Sequence, residues 1–128
     1  MKKLSLLILA VMLLTACGKN QENGQEAVYV NITAQEAKEI MDCEEGYVIL
    51  DVRTWDEYNQ GHIPGAILIP DTEIKARAEE VLTDKDQLIL VYCRSGRRSK
   101  LAAEILVELG YTNIREFGGI IDWPYEVT

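Results

Sequence analysis

Hydrophobic and polar positions change their rhythm several times along the chain. Lys2 and Lys3 precede an uncharged run from Leu4 to Ala16, which has the length of a signal-peptide apolar core and is short for a bilayer-spanning anchor. Residues 18–27, GKNQENGQEA, are polar, with two glycines and no aromatic or β-branched residue. That is the composition of a flexible tether, with a reach of roughly 15 to 20 Å. A folded pattern follows. Thr33-Ala-Gln-Glu36 forms a capping box, and Ala34, Ala37, Ile40 and Met41 recur at helical spacing up to Gly46. Tyr47 to Val52 predicts a buried strand, and Thr54-Trp-Asp-Glu57 repeats the capping box immediately after it. Gly61-His-Ile-Pro-Gly65 reads as a turn and Ala66 to Ile69 as a strand, after which Asp71 caps a helix with Ile74, Ala78, Val81 and Leu82 facing inward.

Leu88 to Tyr92 has the continuous hydrophobicity of a central parallel strand covered on both faces. Beyond it Leu101, Ala102, Ile105, Leu106 and Leu109 share one helical face, and Gly110 suits the left-handed position that ends the helix. Asn113 to Phe117 forms a last short strand before a glycine pair. This alternation predicts an open α/β sheet with helices on both faces and its sites at the carboxyl ends of the strands.

The signal ends in Leu14-Thr15-Ala16-Cys17, which resembles the bacterial lipobox. The resemblance implies cleavage before Cys17, acylation of its thiol, and a lipid-anchored protein of the cell envelope outside the cytoplasm. The expected organisation is a signal peptide over 1–16, a lipidated N-terminus and tether over 17–28, and one domain over 29–128. Composition agrees with a single core: 128 residues, 48% of them hydrophobic. A formal charge of −8 repels nucleic-acid phosphates, and loss of the signal removes two lysines and no acids, so a basic surface does not hold the chain to the membrane. With three cysteines, one histidine and no Cys-x-x-Cys pair, a four-ligand zinc site is not expected.

The chemistry is concentrated in Cys93-Arg-Ser-Gly-Arg-Arg-Ser99, which joins the central strand to the next helix. Its glycine opens a helix, so the backbone N–H groups can turn inward around one small anion. The helix end, with Arg94, Arg97 and Arg98, favours the nucleophilic thiolate of Cys93. Arginines oppose the dipole at a helix start, so three of them there call for a functional reason.

At this point the chain resembles the rhodanese family of sulfurtransferases, from Tyr29 to Val127. Leu50-Asp-Val-Arg53 with Glu57-Tyr58 and Gly61-His-Ile-Pro-Gly-Ala66 matches a first signature, Cys93 to Arg98 the active loop, and Gly118-Gly119 with Trp123 a closing signature. The resemblance implies a mostly parallel sheet of five strands, and a Cys93 that takes sulfane sulfur from thiosulfate or a persulfide and passes it to a thiol or cyanide. Arg94, Ser95, Gly96, Arg97 and Arg98 would surround the sulfur, Asp51 and Arg53 would buttress the loop, and no cofactor is implied. His62 is expected to fix its turn, and Trp55 and Trp123 to serve as core or rim aromatics, Trp123 also at the pocket mouth. Cys43 is expected to be a lone, partly buried thiol, with a Cys43–Cys93 disulfide as the other reading. Two other functions fit the residues: a non-catalytic module binding an anion or a partner, and a phosphatase or arsenate reductase. The latter use Cys-x5-Arg, whereas Arg98 falls at Cys-x4-Arg and Ser99 takes the next place.

Overall fold

The computed structural model describes residues 28–128. The signal peptide, Cys17 and all of the tether except Val28 lie outside the described residues. Five strands, β1 (Val30–Asn31), β2 (Val48–Asp51), β3 (Ile67–Leu68), β4 (Ile89–Cys93) and β5 (Ile114–Gly119), form one sheet in the order β1-β5-β4-β2-β3, with every pairing parallel. Helices α1 (Ala34–Cys43), α2 (Trp55–Gln60), α3 (Ile74–Val81) and α4 (Arg97–Glu108) connect them. The expected open α/β sheet is thus present, and the apolar run that predicted its middle is the fully buried β4.

Alternate residues of β4 serve opposite faces. Ile89, Val91 and Cys93 pack with Ile74 and Ala78 of α3 and Ala102, Ala103 and Leu106 of α4, while Leu90 and Tyr92 pack with Ala37 of α1, Phe117 and Trp123. Both expected capping boxes are formed, Thr33 with Glu36 and Thr54 with Glu57. The end of α4 is a Schellman motif, in which the N–H groups of Gly110 and Tyr111 donate to Val107 and Leu106 carbonyls at 3.0 Å each, with Gly110 at φ 100°.

Several expectations need correction. Asp71 caps nothing: Pro70 leads into a 3-10 turn over Asp71–Glu73, and α3 starts at Ile74 without a side-chain cap. Val81 and Leu101 are exposed, because the buried stripes run through Ile74, Ala78 and Leu82, and through Ser99, Ala102, Ala103 and Leu106. The strand expected over Ala66–Ile69 pairs only at Ile67 and Leu68, and β5 extends through the glycine pair instead of stopping before it.

This strand order sets the site. From β2 the chain moves outward to β3, and from β4 it moves the other way to β5, so a crevice opens between the carboxyl ends of β2 and β4. Helix α2 leaves one side of it and α4 the other.

Candidate active site

Cys93 is the last residue of β4 and is 0% exposed. Between Val91 and Cys93 the register against β5 shifts by one residue, so that Cys93 pairs with Gly119. Helix α4 begins at Arg97, so the loop proper is only Arg94, Ser95 and Gly96, and Ser99 is a helical residue. Gly96 is the N-cap at φ 103°, and its N–H donates to Cys93 Sγ at 3.0 Å. No side chain caps this helix, in contrast to α1 and α2. The first-turn amides are therefore left for whatever sits at the sulfur.

The loop is pressed against β5. Arg94 O accepts the Ile121 N–H at 3.2 Å, and a Cβ on Gly119 would lie 2.0 Å from that same oxygen. Below the loop, Ser99 Oγ lies 3.1 Å from Gly96 O and donates to the buried carboxylate of Glu116, whose Oε2 also accepts the Gly118 N–H at 3.0 Å.

On the other side of the crevice Arg53 grips Asp51 through Nε and Nη2, the shortest contact being 2.7 Å, and Nη2 also donates to Gly61 O at 2.7 Å. Burial works against the charge of Arg53, but the hydrogen bonds and charge of Asp51 outweigh it. Tyr92, the neighbour of Cys93, donates its hydroxyl to Asp51 Oδ2 at 2.5 Å and accepts the Ile63 N–H at 3.0 Å. Burial and the Asp51 carboxylate push that hydroxyl up, so it stays a donor. The buried group of Asp51, Arg53 and Tyr92 thus ties the Gly61–Gly65 turn to β2 and β4.

A model of the rhodanese-like domain matches residues 33–124. The chain belongs to the rhodanese-like domain family. It is 45% identical over 73 residues to thiosulfate sulfurtransferase PspE of Escherichia coli K12, covering 57% of this chain and 70% of that one. It is 40% identical over 80 residues to a sulfurtransferase of Allochromatium vinosum, covering 62% and 73%. A solved structure described as rhodanese with anions from E. coli superposes with a TM-score of 0.60 at 40% identity, covering 64% of this chain and 96% of that one. The family, the fold and the sulfurtransferase class expected from the sequence are borne out.

Within this rhodanese-like domain the arginines divide. Arg98 donates from both terminal nitrogens to Glu57, at 2.8 and 2.9 Å, and so joins α4 to α2 across the crevice. Its guanidinium fork is occupied by Glu57, so what Arg98 can still offer the sulfur is its backbone amide in the first turn of α4. Arg94, Ser95 and Arg97 are exposed, and neither arginine forms an ion pair among the described residues. A cleft of about 300 Å³ opens beside the loop, bordered by Arg53, Glu57, Arg94, Ile121 and Val127 among others.

The Arg98 hydrogen bonds, with help from the Thr54 amide and hydroxyl, hold the Glu57 carboxyl down at about 2 against an ordinary 4.5. A depressed carboxyl stabilises the fold above its unfolded value and loses that contribution as pH falls through the folded value. Glu57→Gln is therefore expected to flatten the stability profile between about pH 4.5 and pH 2 by about 1 kcal/mol after solvent screening. Urea unfolding across that window measures it, and an unchanged slope would mean that Arg98 does not hold Glu57.

His62 lies flat against Tyr58, ring centroids 3.8 Å apart, and its backbone exchanges two hydrogen bonds with Thr128. It clamps the turn to α2 and the last residue and makes no contact with the sulfur. Trp123 packs with Phe117 and Tyr125 on the face opposite Cys93 and lines a separate cavity of about 220 Å³, not the cleft mouth. It supports the loop at one remove, since its N–H closes the Ile120–Asp122 turn that carries Ile121. Trp55 is 62% exposed and belongs to the rim.

Cys43 is free and exposed, not partly buried. It ends α1 shortly before β2 begins, and Val48 pairs with Ile89 at the opposite end of β4 from Cys93. The length of that strand, roughly 13 Å, separates the two ends, beyond the reach of a disulfide.

Sequence reasoning missed Glu57 as the partner of Arg98, and it missed Tyr92 and Glu116; Gly119 it placed in the closing signature without its close approach to Arg94. Glu116 alone left a readable signal. It shares the inward face of β5 with Ile114, two residues away, where an acid is out of place.

Proposed function

We propose that the chain carries sulfane sulfur as a Cys93 persulfide from thiosulfate or another persulfidic donor to a thiol or cyanide, outside the cytoplasm and anchored through a lipidated Cys17. The observation that carries the first part is the Gly96 N–H on Cys93 Sγ at the uncapped start of α4. The thiolate attacks the outer sulfur of thiosulfate. The Cys93–sulfur bond forms, the sulfur–sulfur bond of the donor breaks, and sulfite leaves with its electron pair. Attack on the outer sulfur by cyanide then gives thiocyanate and restores the thiolate, so two displacements replace one difficult transfer and no general base is needed. The amides at the helix start stabilise the anionic sulfur throughout. Arg94 supplies the charge that draws in an anionic donor, and the cleft beside it gives the acceptor an approach.

The name of the E. coli relative and the description of the E. coli structure as holding anions agree with this reading. A phosphatase is disfavoured because Ser99, at the place of its arginine, is buried against Glu116 and Gly96. The test is intact mass of the domain before and after thiosulfate, with one added sulfur on Cys93 expected. A domain that binds thiosulfate and gains no mass would instead be a binding module.

The anchor is carried by the Leu14–Cys17 sequence. Metabolic labelling with a fatty acid should mark the parent protein and not Cys17→Ser. Label retained on the variant, or missing from the parent, overturns it.

A further inference from the structure

Two acids are buried among the described residues, Asp51 and Glu116. Asp51 is matched by Arg53. Glu116 has no arginine, and the nearest cation is the half-exposed Lys100, whose Nζ lies 4.0 Å from Oε1. A buried carboxylate without a close ion pair is costly unless hydrogen bonds occupy its oxygens. Here they do: Oε2 accepts from Ser99 Oγ and the Gly118 N–H, and Oε1 accepts from Asn31 Nδ2 at 2.6 Å.

Two of these donors belong to the support of the active loop. Ser99 lies in the first turn of α4 with its Oγ also beside Gly96 O, and Gly118 lies against Gly96, where an added Cβ would meet Gly118 Cα at 3.4 Å. The third, Asn31, brings in the edge strand. The sulfur displacement itself uses none of these groups.

We propose that Glu116 is a positioning residue for sulfur transfer: by accepting from Ser99 and Gly118 it holds Gly96 in the left-handed conformation that aims its N–H at Cys93 Sγ. This rests on the sulfurtransferase reading above. The role is one of acceptance and not of charge, since a negative group beneath the loop opposes an anionic sulfur. Glutamine can fill the role, with its oxygen facing Ser99 and Gly118 and its amide meeting an Asn31 side chain turned over. Methionine has the length and no such acceptor.

The experiment compares the parent domain with Glu116→Met, Glu116→Gln, Ser99→Ala and the double variant Ser99→Ala/Glu116→Met. It reads kcat for thiosulfate-to-cyanide transfer, the rate of Cys93 alkylation by uncharged iodoacetamide, and thermal melting. Glu116→Met should lose about tenfold in kcat while Cys93, no longer shielded by a fixed loop, is alkylated about tenfold faster. Glu116→Gln should stay within about twofold of the parent on both rates, and the double variant within about twofold of Glu116→Met, as expected of groups acting as one unit. Fraying of the whole fold would also slow transfer and expose the buried Cys93, so both rates are read well below the melting transition of each variant, where a whole-fold cause contributes to neither. The proposal is overturned if cooperatively folded Glu116→Met keeps both rates, if both rates fall together, or if Glu116→Gln is as impaired as Glu116→Met. Should Glu116→Met not fold, Ser99→Ala carries the same opposed expectation. A parent that transfers no sulfur refutes the sulfurtransferase reading, while alkylation still decides what Glu116 does.

Discussion

Cys93→Ser is expected to abolish sulfur transfer, by about 10³-fold or more, in a protein that still folds. Serine fills nearly the same volume at the end of β4, and its oxygen can accept the Gly96 N–H in place of Sγ. The stability cost should therefore be no more than about 1 kcal/mol. An alkoxide is not available at neutral pH, and an oxygen–sulfur adduct would not serve as the exchangeable store that a persulfide provides. Thus the variant should gain no sulfur by mass, show no transfer from thiosulfate to cyanide, and melt close to the parent. Cys43→Ser is the control, because Cys43 is exposed at the far end of the sheet and touches nothing in the crevice. Transfer that persists in Cys93→Ser, or disappears in Cys43→Ser, would mean that the nucleophile has been misassigned.

What could be read from the sequence was what is encoded locally. The two Thr-x-x-Glu boxes at Thr33 and Thr54 and the Schellman glycine at Gly110 each involve groups within a few residues of one another, and all three are formed as expected. The continuous apolar run of β4 identified the middle strand because only a strand covered on both faces needs one. The candidate loop was legible for a similar reason: a cysteine, a glycine and arginines at a strand-to-helix turn form a contiguous word. Failures came where the deciding partner is distant. Arg98 is visible beside the loop, but Glu57, 41 residues earlier, which takes its side-chain fork, is not. Glu116 meets Asn31 at a separation of 85 residues. Edge strand β1 has two residues, too few for any period to show. Val81 and Leu101 were drawn into helical stripes because one apolar residue beside a stripe cannot be told from a member of it until the opposing surface is known.

Gly119→Ala is expected to be the most disruptive single-methyl change near the site, damaging both stability and activity. The reason is space and not backbone conformation, since Gly119 is extended at φ −125°. A Cβ there would lie 2.0 Å from Arg94 O and 2.5 Å from both Arg94 C and Ser95 Cα. All three are backbone atoms of the active loop, so no side chain can swing aside; either the loop lifts away from β5 or the pairing of Cys93 with Gly119 opens. Either route breaks the hydrogen bond from the Ile121 N–H to Arg94 O and displaces Gly96 from the sulfur. Overpacking of this kind costs about 3 kcal/mol, which for a domain of this size lowers the melting temperature by roughly 12 to 24 °C. Transfer by the protein that remains folded should fall by about 10²-fold, because the amides would no longer converge on the reacting sulfur. Gly118→Ala makes the comparison sharp: its Cβ would meet nothing within 4 Å, and its penalty is the left-handed φ of 92°, about 1 to 2 kcal/mol. Thermal melting and transfer assays on the pair decide the matter. If Gly119→Ala proves as stable and active as the parent, or milder than Gly118→Ala, the loop does not rest on β5 as described.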